Sequence, residues 1–322
     1  MDSLSELVRL LSPSGTVDLH CRVAGAWSAH NAQAPAGHMP YHVILDGRAD
    51  VTIGKDVLPV SAGDVLLFPR GAAHTLASAQ RTRRSGPPRG TASQRFNGVV
   101  TEITVPGADA PLDILCGTFA LGGGAGILLR ALPEMLCVPT AGPSPGEGGH
   151  DAGWLRGLIG MMHAEAETPR PGGAAIIADL STALFTVLLR TLISRGTVTR
   201  GVLALLADTR MAKAVDAVVG SPERPWTIES LAQSANVSRA TLARRFTQLG
   251  GITPLELVTT LRMERAARLL QQDNLSAAAV AERCGYASQA AFGRAFSGQF
   301  GVGPGAYRRQ QRALRTKMRD AV

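Results

Sequence analysis

Toward the end of the chain the apolar positions recur with a helical period, and the whole pattern is then repeated. At about 100° per residue, Leu242, Phe246 and Leu249 share one face of a predicted helix, and Phe292 and Phe296 share the equivalent face of another. The first stretch, from Ser238 through Arg244 and Phe246 to Gly251 and Pro254, returns as Ser288, Arg294, Phe296, Gly301 and Pro304, at a constant offset of 50 residues (288 − 238). Internal repetition of this kind marks a structural unit built twice. A shorter apolar pattern precedes each copy, at Ile228, Leu231 and Ala232 and at Ala277, Val280 and Ala281. Asn236 and Gly285 stand where a tight turn between the two helices of each copy needs positive φ. Ser238 and Ser288 are placed as N-caps, without the Glu or Gln three residues on that would complete a capping box. Between the copies, Pro254 to Leu270 predicts one continuous helix with Leu257, Leu261, Ala266, Leu269 and Leu270 as its apolar stripe.

The first part of the chain has a different rhythm. After a short helix over residues 3–12, alternating stretches predict strands at Thr16–Val23, Tyr41–Leu45, Ala49–Ile53, Asp56–Val60, Asp64–Phe68, Gly98–Val105 and Leu112–Phe119, with Asp46-Gly47 as a hairpin turn. Closely spaced short strands with glycine turns predict a small barrel or sandwich. Arg81–Arg95 is expected to be a mobile basic loop, Gly122–Gly126 a turn and Pro139–Gly149 a linker. Two helices follow over 154–167 and 174–195, and another over Met211–Val219. The fold class is therefore α+β. The expected division is a sensor domain over 1–138, a linker over 139–152, a helical dimerisation segment over 153–205 and an all-α domain over 206–322.

Charge sharpens this division. The chain of 322 residues carries 33 Lys plus Arg and 25 Asp plus Glu. From Ser221 onward there are 15 basic against 7 acidic residues, which leaves 18 against 18 before it, so the whole excess of +8 falls on the repeated helical part. That is the footprint of a surface that meets phosphate. The most apolar window, Ala174–Ile193, contains Asp179 and ends near Arg190, so a buried or dimer-forming helix is expected there and not a membrane span. Cys21, Cys116, Cys137 and Cys284 show no CxxC spacing, and the first residues do not form a signal peptide. A cytoplasmic protein with reduced thiols is expected.

Candidate chemistry concentrates on the faces opposite the apolar stripes. Arg244 and Arg294 project there among small and polar residues. A helix entering a major groove needs that combination, because a close backbone approach lets a long Arg reach guanine O6 and N7. The expected DNA-contacting set is Arg239, Ala240, Arg244, Thr247 and Gln248 in the first copy and Gln289, Ala290, Arg294 and Ser297 in the second. With Arg262, Ala266, Leu269 and Leu270 in the linking helix, and Val280-Ala281, Gly285-Tyr286, Phe292, Arg294-Ala295-Phe296, Gly301, Pro304 and Tyr307-Arg308 after it, the segment resembles the DNA-binding domain of AraC/XylS-family bacterial transcription regulators. Leu257 and Gly303 depart mildly from that pattern, where an aromatic and a serine are common. The resemblance implies a sequence-specific regulator with promoter DNA as partner, a homodimer formed through the helical hairpin, and RNA polymerase as a further partner.

Earlier in the chain, Gly63-Asp64-Val65-Leu66-Leu67-Phe68-Pro69-Arg70-Gly71-Ala72-Ala73-His74 resembles the second conserved motif of cupin barrels, G-x5-P-x-G-x2-H. The first cupin motif is incomplete: His38 and His42 flank Pro40, and no glutamate follows before Gly47. His38, His42 and His74 are candidates for a ligand pocket, with hydrogen-bonded structural histidines preferred over a metal centre, so no cofactor is expected. The whole chain resembles the subgroup of AraC-type regulators with a cupin-like sensor domain, which includes regulators that respond to reactive oxidants such as hypochlorous acid. Cys21 and Cys116 stand where that subgroup's cysteines tend to fall and are the candidate sensor, with His20, Arg22 or His74 as groups that could activate a thiol. A small-molecule ligand in the barrel is the other sensing mode. A metal-dependent cupin enzyme fused to a DNA-binding domain is the alternative function. It is disfavoured because no nucleophile, acid–base pair or phosphate loop emerges.

Overall fold

The computed structural model describes residues 2–79, 92–107, 111–122, 129, 132–140, 149–271 and 275–319. The chain forms two compact units: Pro13–Leu121 with Leu132–Thr197, and Val198–Val322 with Met1–Ser12 and Gly122–Ala131.

The first unit is built on two sheets. β1 (Ser14–Val23), β3 (His38–Asp46), β6 (Asp64–Leu67), β8 (Ser93–Phe96), β9 (Thr101–Val105), β10 (Leu112–Ala120) and β11 (Leu136–Pro139) form a seven-stranded sheet in the order β11-β6-β3-β10-β1-β9-β8. β2 (Ser28–Asn31), β4 (Arg48–Ile53), β5 (Asp56–Ser61) and β7 (His74–Ser78) form the second, in the order β2-β7-β4-β5. Val23, Ile44, Val51, Leu66, Phe68, Leu76, Leu112 and Ile114 fill the core, with Cys21, Cys116 and Cys137 packed against it. Alternation sorts each strand, as a pleat requires. On β1, Cys21 and Val23 belong to this core, and His20 and Arg22 point to the opposite face.

Two helices cover that opposite face, α2 (Gly149–Glu167) and α3 (Gly173–Ser194). α3 is long and apolar enough to cross a membrane, but half of its most apolar window is buried in this unit. It lies against β1 so closely that a Cβ at Gly15 would come within 2.3 Å of the Ser181 Cβ. Tyr41 donates a 2.8 Å hydrogen bond to the Thr16 carbonyl and shares another 2.8 Å bond with the Ser181 hydroxyl, which satisfies both polar groups inside the packing. This is a core helix.

Two expectations are corrected. Asp46-Gly47 is not a hairpin turn, because β3 and β4 lie in different sheets and the chain crosses from one to the other at Gly47. Gly47 has φ +86°, and a Cβ there would stand 2.1 Å from the Pro111 carbonyl oxygen, so glycine is needed for the crossing. The two-residue hairpin is the next turn, Gly54-Lys55, between the paired Ile53 and Asp56. The expected basic loop is also shorter than its composition suggests, since Ser93–Phe96 pairs antiparallel with β9. The rest of that loop, most of the expected Gly122–Gly126 turn and most of the Pro139–Gly149 linker lie outside the described residues.

The second unit is helical: α1 (Ser3–Leu11), α4 (Val202–Ala207), α5 (Met211–Gly220), α6 (Ile228–Ser234), α7 (Arg239–Arg245), α8 (Pro254–Gln271), α9 (Ala277–Arg283), α10 (Gln289–Phe300) and α11 (Pro304–Arg319). α7 passes into a π-helical turn over Phe246–Gly250, where the Gly250 backbone closes on Leu205. α1 packs against α5 with Leu7 and Leu11 buried, and Arg268 of α8 donates a 3.2 Å hydrogen bond to the Arg9 carbonyl.

Candidate nucleic-acid interface and thiol site

Each helix-turn-helix copy is assembled as its sequence dictates. Ser238 and Ser288 are N-caps whose hydroxyls accept from the backbone N–H groups of Thr241 and Ala291, both at 3.2 Å. Asn236 and Gly285 take φ of +54° and +78° in the two turns. Leu242, Phe246, Phe292 and Phe296 are buried at 0–1% exposure and set the rotation of α7 and α10. That rotation leaves all nine expected contact residues, Arg239, Ala240, Arg244, Thr247, Gln248, Gln289, Ala290, Arg294 and Ser297, exposed. Arg239 is engaged by Glu229 at 2.7 Å.

α8 carries the arginines that hold the unit together. Arg262 donates 2.7 Å hydrogen bonds to the carbonyls of both Pro222 and Arg224, and Arg265 pairs with Glu223. The segment they anchor passes so close to Gly285 that a Cβ there would stand 2.1 Å from the Glu223 carbonyl oxygen. Arg308 donates to the carbonyls of Leu270, in the last turn of α8, and Leu275, beyond its end. At about 1.5 Å rise per residue, the 18 residues of α8 span about 27 Å. On the buried side of α8, Glu264 has an Oε1 that lacks a partner among the described residues, and burial pushes its carboxyl up to about 8.

In the first unit, Cys21 of β1 and Cys116 of β10 lie on neighbouring antiparallel strands, with Cys21 opposite Ile114 and Cys116 opposite Leu19, and their thiols are close enough to influence each other. The neighbouring Cys116 thiol holds the Cys21 thiol below the usual cysteine range, against burial and the charge of Asp113. The same contact, together with burial, pushes Cys116 well above that range. The activating neighbour is therefore the second thiol. His20 and Arg22 do not serve, since alternation turns them to the other face of β1.

Directly opposite Cys116, across the β10–β3 register, is His42. Its Nε2 lies 2.7 Å from His74 Nε2, and His74 Nδ1 lies 2.8 Å from the Ala72 carbonyl. Since a carbonyl only accepts, His74 Nδ1 carries its proton, His74 Nε2 accepts, and His42 Nε2 donates. Burial, and then the neighbouring ring, depress His42 to about 3, so this pair is neutral. His38 is not brought to them. It is exposed at the start of β3, with Nδ1 3.4 Å from the Ala36 carbonyl. Two mutually bonded imidazoles fall short of the three-ligand open site of a metal enzyme.

Residues 2–194 match the family described as Cupin, and residues 231–310 match the one described as Helix-turn-helix domain. Over 315 residues the chain is 30% identical to the RCS-specific HTH-type transcriptional activator RclR of Escherichia coli (strain K12), covering 98% of this chain and 99% of that relative. The chain belongs to the AraC family of transcriptional regulators. This AraC-type regulator is also 29% identical over 314 residues to the HTH-type transcriptional regulator MtrA of Neisseria gonorrhoeae, covering 96% of this chain and 99% of that one. Among solved structures it is similar to the DNA-binding domain of AdpA in complex with a target DNA, 38% identical with a TM-score of 0.32, over 34% of this chain and 97% of that chain. By its family matches and its similarity to transcriptional regulators along the whole chain, the regulator joins a cupin domain to a DNA-binding helix-turn-helix domain.

The sequence did not single out Asp113, His163 or Glu264 as residues of interest. Asp113 and His163 meet only through pairing and packing distant in the chain, and Glu264 sits inside an otherwise ordinary linking helix.

Proposed function

We propose that this AraC-type regulator is a cytoplasmic, thiol-switched activator in which oxidation of Cys21 and Cys116 changes DNA binding or the recruitment of RNA polymerase. The observation that carries this reading is the placement of the two thiols side by side on paired strands, with the Cys21 thiol lowered and the Cys116 thiol raised relative to an ordinary cysteine. With hypochlorous acid as oxidant, the Cys21 thiolate takes Cl⁺ and releases hydroxide. The Cys116 thiol then displaces chloride, forming the disulfide and giving up its proton. Two thiols and one hypochlorous acid thus yield one disulfide, water and hydrogen chloride. The relative named as an RCS-specific activator supports the same direction.

On the DNA side, Arg244 and Arg294 read bases in successive major grooves, supported by Arg239, Ala240, Thr247, Gln248, Gln289, Ala290 and Ser297. The homodimer forms through α2. Its Gly153, Gly157 and Gly160 have open space where a side chain would be, and Trp154 and Met161 beside them are 62% and 50% exposed.

The test replaces Cys21 and Cys116 separately with Ser and follows oxidant-dependent transcription from the native promoter. Each substitution is expected to abolish the response. A full response in both variants removes the thiol switch and leaves a small-molecule ligand of the barrel as the signal.

A further inference from the structure

The face of β1 and β10 turned away from the thiols carries a second group of residues, contributed by three elements. The ligating atoms of His20 on β1, Asp113 on β10 and His163 on α2 all lie within 4.8 Å of one another. His20 Nε2 is 2.7 Å from Asp113 Oδ1, and His163 Nε2 is 3.9 Å from Asp113 Oδ2. One helical turn beyond His163, Glu167 brings Oε1 to 3.7 Å from the same nitrogen. His163 Nε2 is buried and has no hydrogen-bond partner among the described residues, so a donor or lone pair points into the middle of the group without one.

These separations can be compared with what a metal ion requires. Two ligands each about 2.1 Å from a tetrahedral zinc ion stand about 3.4 Å apart. The observed 2.7, 3.7 and 3.9 Å bracket that value, so small side-chain movements would open the His20–Asp113 bond and bring the others in. Two imidazoles select a first-row transition ion over calcium or magnesium, which prefer all-oxygen shells. Arg22 supplies the outer support that such sites use: its Nε is 3.6 Å from Asp113 Oδ2, and its Nη2 pairs with Glu167. Asp113 and His163 keep 23% and 30% side-chain exposure, so an ion can enter from solvent.

We propose that His20, Asp113 and His163, with Glu167 as fourth ligand, form a binding site for a first-row divalent cation of the zinc class. The bound ion ties α2 to the two strands whose other face carries Cys21 and Cys116. The site stands independently of the thiol chemistry, since no ligand is shared.

The experiment uses full-length, tag-free protein stripped with EDTA, in a C21S/C116S background so that thiolates do not compete. Zinc chloride is titrated by calorimetry, with Tm followed in parallel. The parent chain is expected to bind one equivalent with micromolar or tighter Kd and to gain Tm. H163A, on a partly exposed helix face and checked by circular dichroism, is expected to bind at least about tenfold more weakly and to lose the Tm gain, and D113N to do the same. Absence of binding by the parent chain, or a loss smaller than tenfold in H163A, overturns the proposal.

Discussion

Arg262 and Arg294 carry the same charge and face different tasks. The guanidinium of Arg262 is spent on the carbonyls of Pro222 and Arg224, whereas Arg294 is exposed on α10. Replacing Arg294 or Arg244 by Ala is therefore expected to weaken operator binding by about 1–3 kcal/mol and to leave binding to random DNA nearly unchanged, as read by fluorescence anisotropy. Equal losses on both DNAs would assign these arginines to phosphate. Glu264 makes a different prediction, about pH. Its carboxyl is raised from an ordinary value of 4.5 to about 8, so between these values the folded unit holds a proton that the unfolded chain has released. Stability from this group is full below about pH 4.5, falls as pH rises toward 8 and then levels off. Glu264→Gln should flatten that fall, so thermal melts at pH 6 and pH 8.5 should differ less in the variant than in the parent chain. An identical pH dependence in both would show that Glu264 does not contribute.

At the level of elements, what the sequence revealed depended on how local the cause was. The caps at Ser238 and Ser288 and the turns at Asn236 and Gly285 are set within a few residues, and they could be read directly. The Asp46-Gly47 turn has the composition of a hairpin, but the partner of β3 is chosen by β10 and β6, far along the chain, and no local signal reports that. The same limit separated Cys21 from its neighbours: adjacency in sequence suggested His20 and Arg22 as activators, while the pleat gives them to α2. A pairing of Cys21 with Cys116 could be suggested from the chain, but their contact needed the register. On α2, the open glycine face leads to a prediction about assembly. Trp154→Glu should convert a full-length dimer to monomer at micromolar concentration in sedimentation experiments. A variant that remains dimeric would place the interface elsewhere.

For the whole molecule, the division by composition and the division by packing differ in an instructive way. Charge and periodicity separate a neutral, strand-rich part from a basic, helical part, yet Met1–Ser12 belongs to the same compact unit as Val198–Val322. The apolar face of α1 shows that Leu7 and Leu11 must be covered, but not by what. Their burial against this unit suggests that deleting residues 2–12 lowers its stability by about 1–3 kcal/mol, measurable by urea unfolding followed through Trp226. An unchanged midpoint would mean that α1 is dispensable there. This placement also has a temporal consequence. α1 is synthesised about 200 residues ahead of α5, the helix that covers it. At roughly 5–20 residues per second, translation leaves it waiting on the order of 10–40 seconds, with Leu7 and Leu11 in water or in the hands of a chaperone. Through that interval the strands made after it can pair, so the unit that binds DNA is completed last, by a segment made before the barrel.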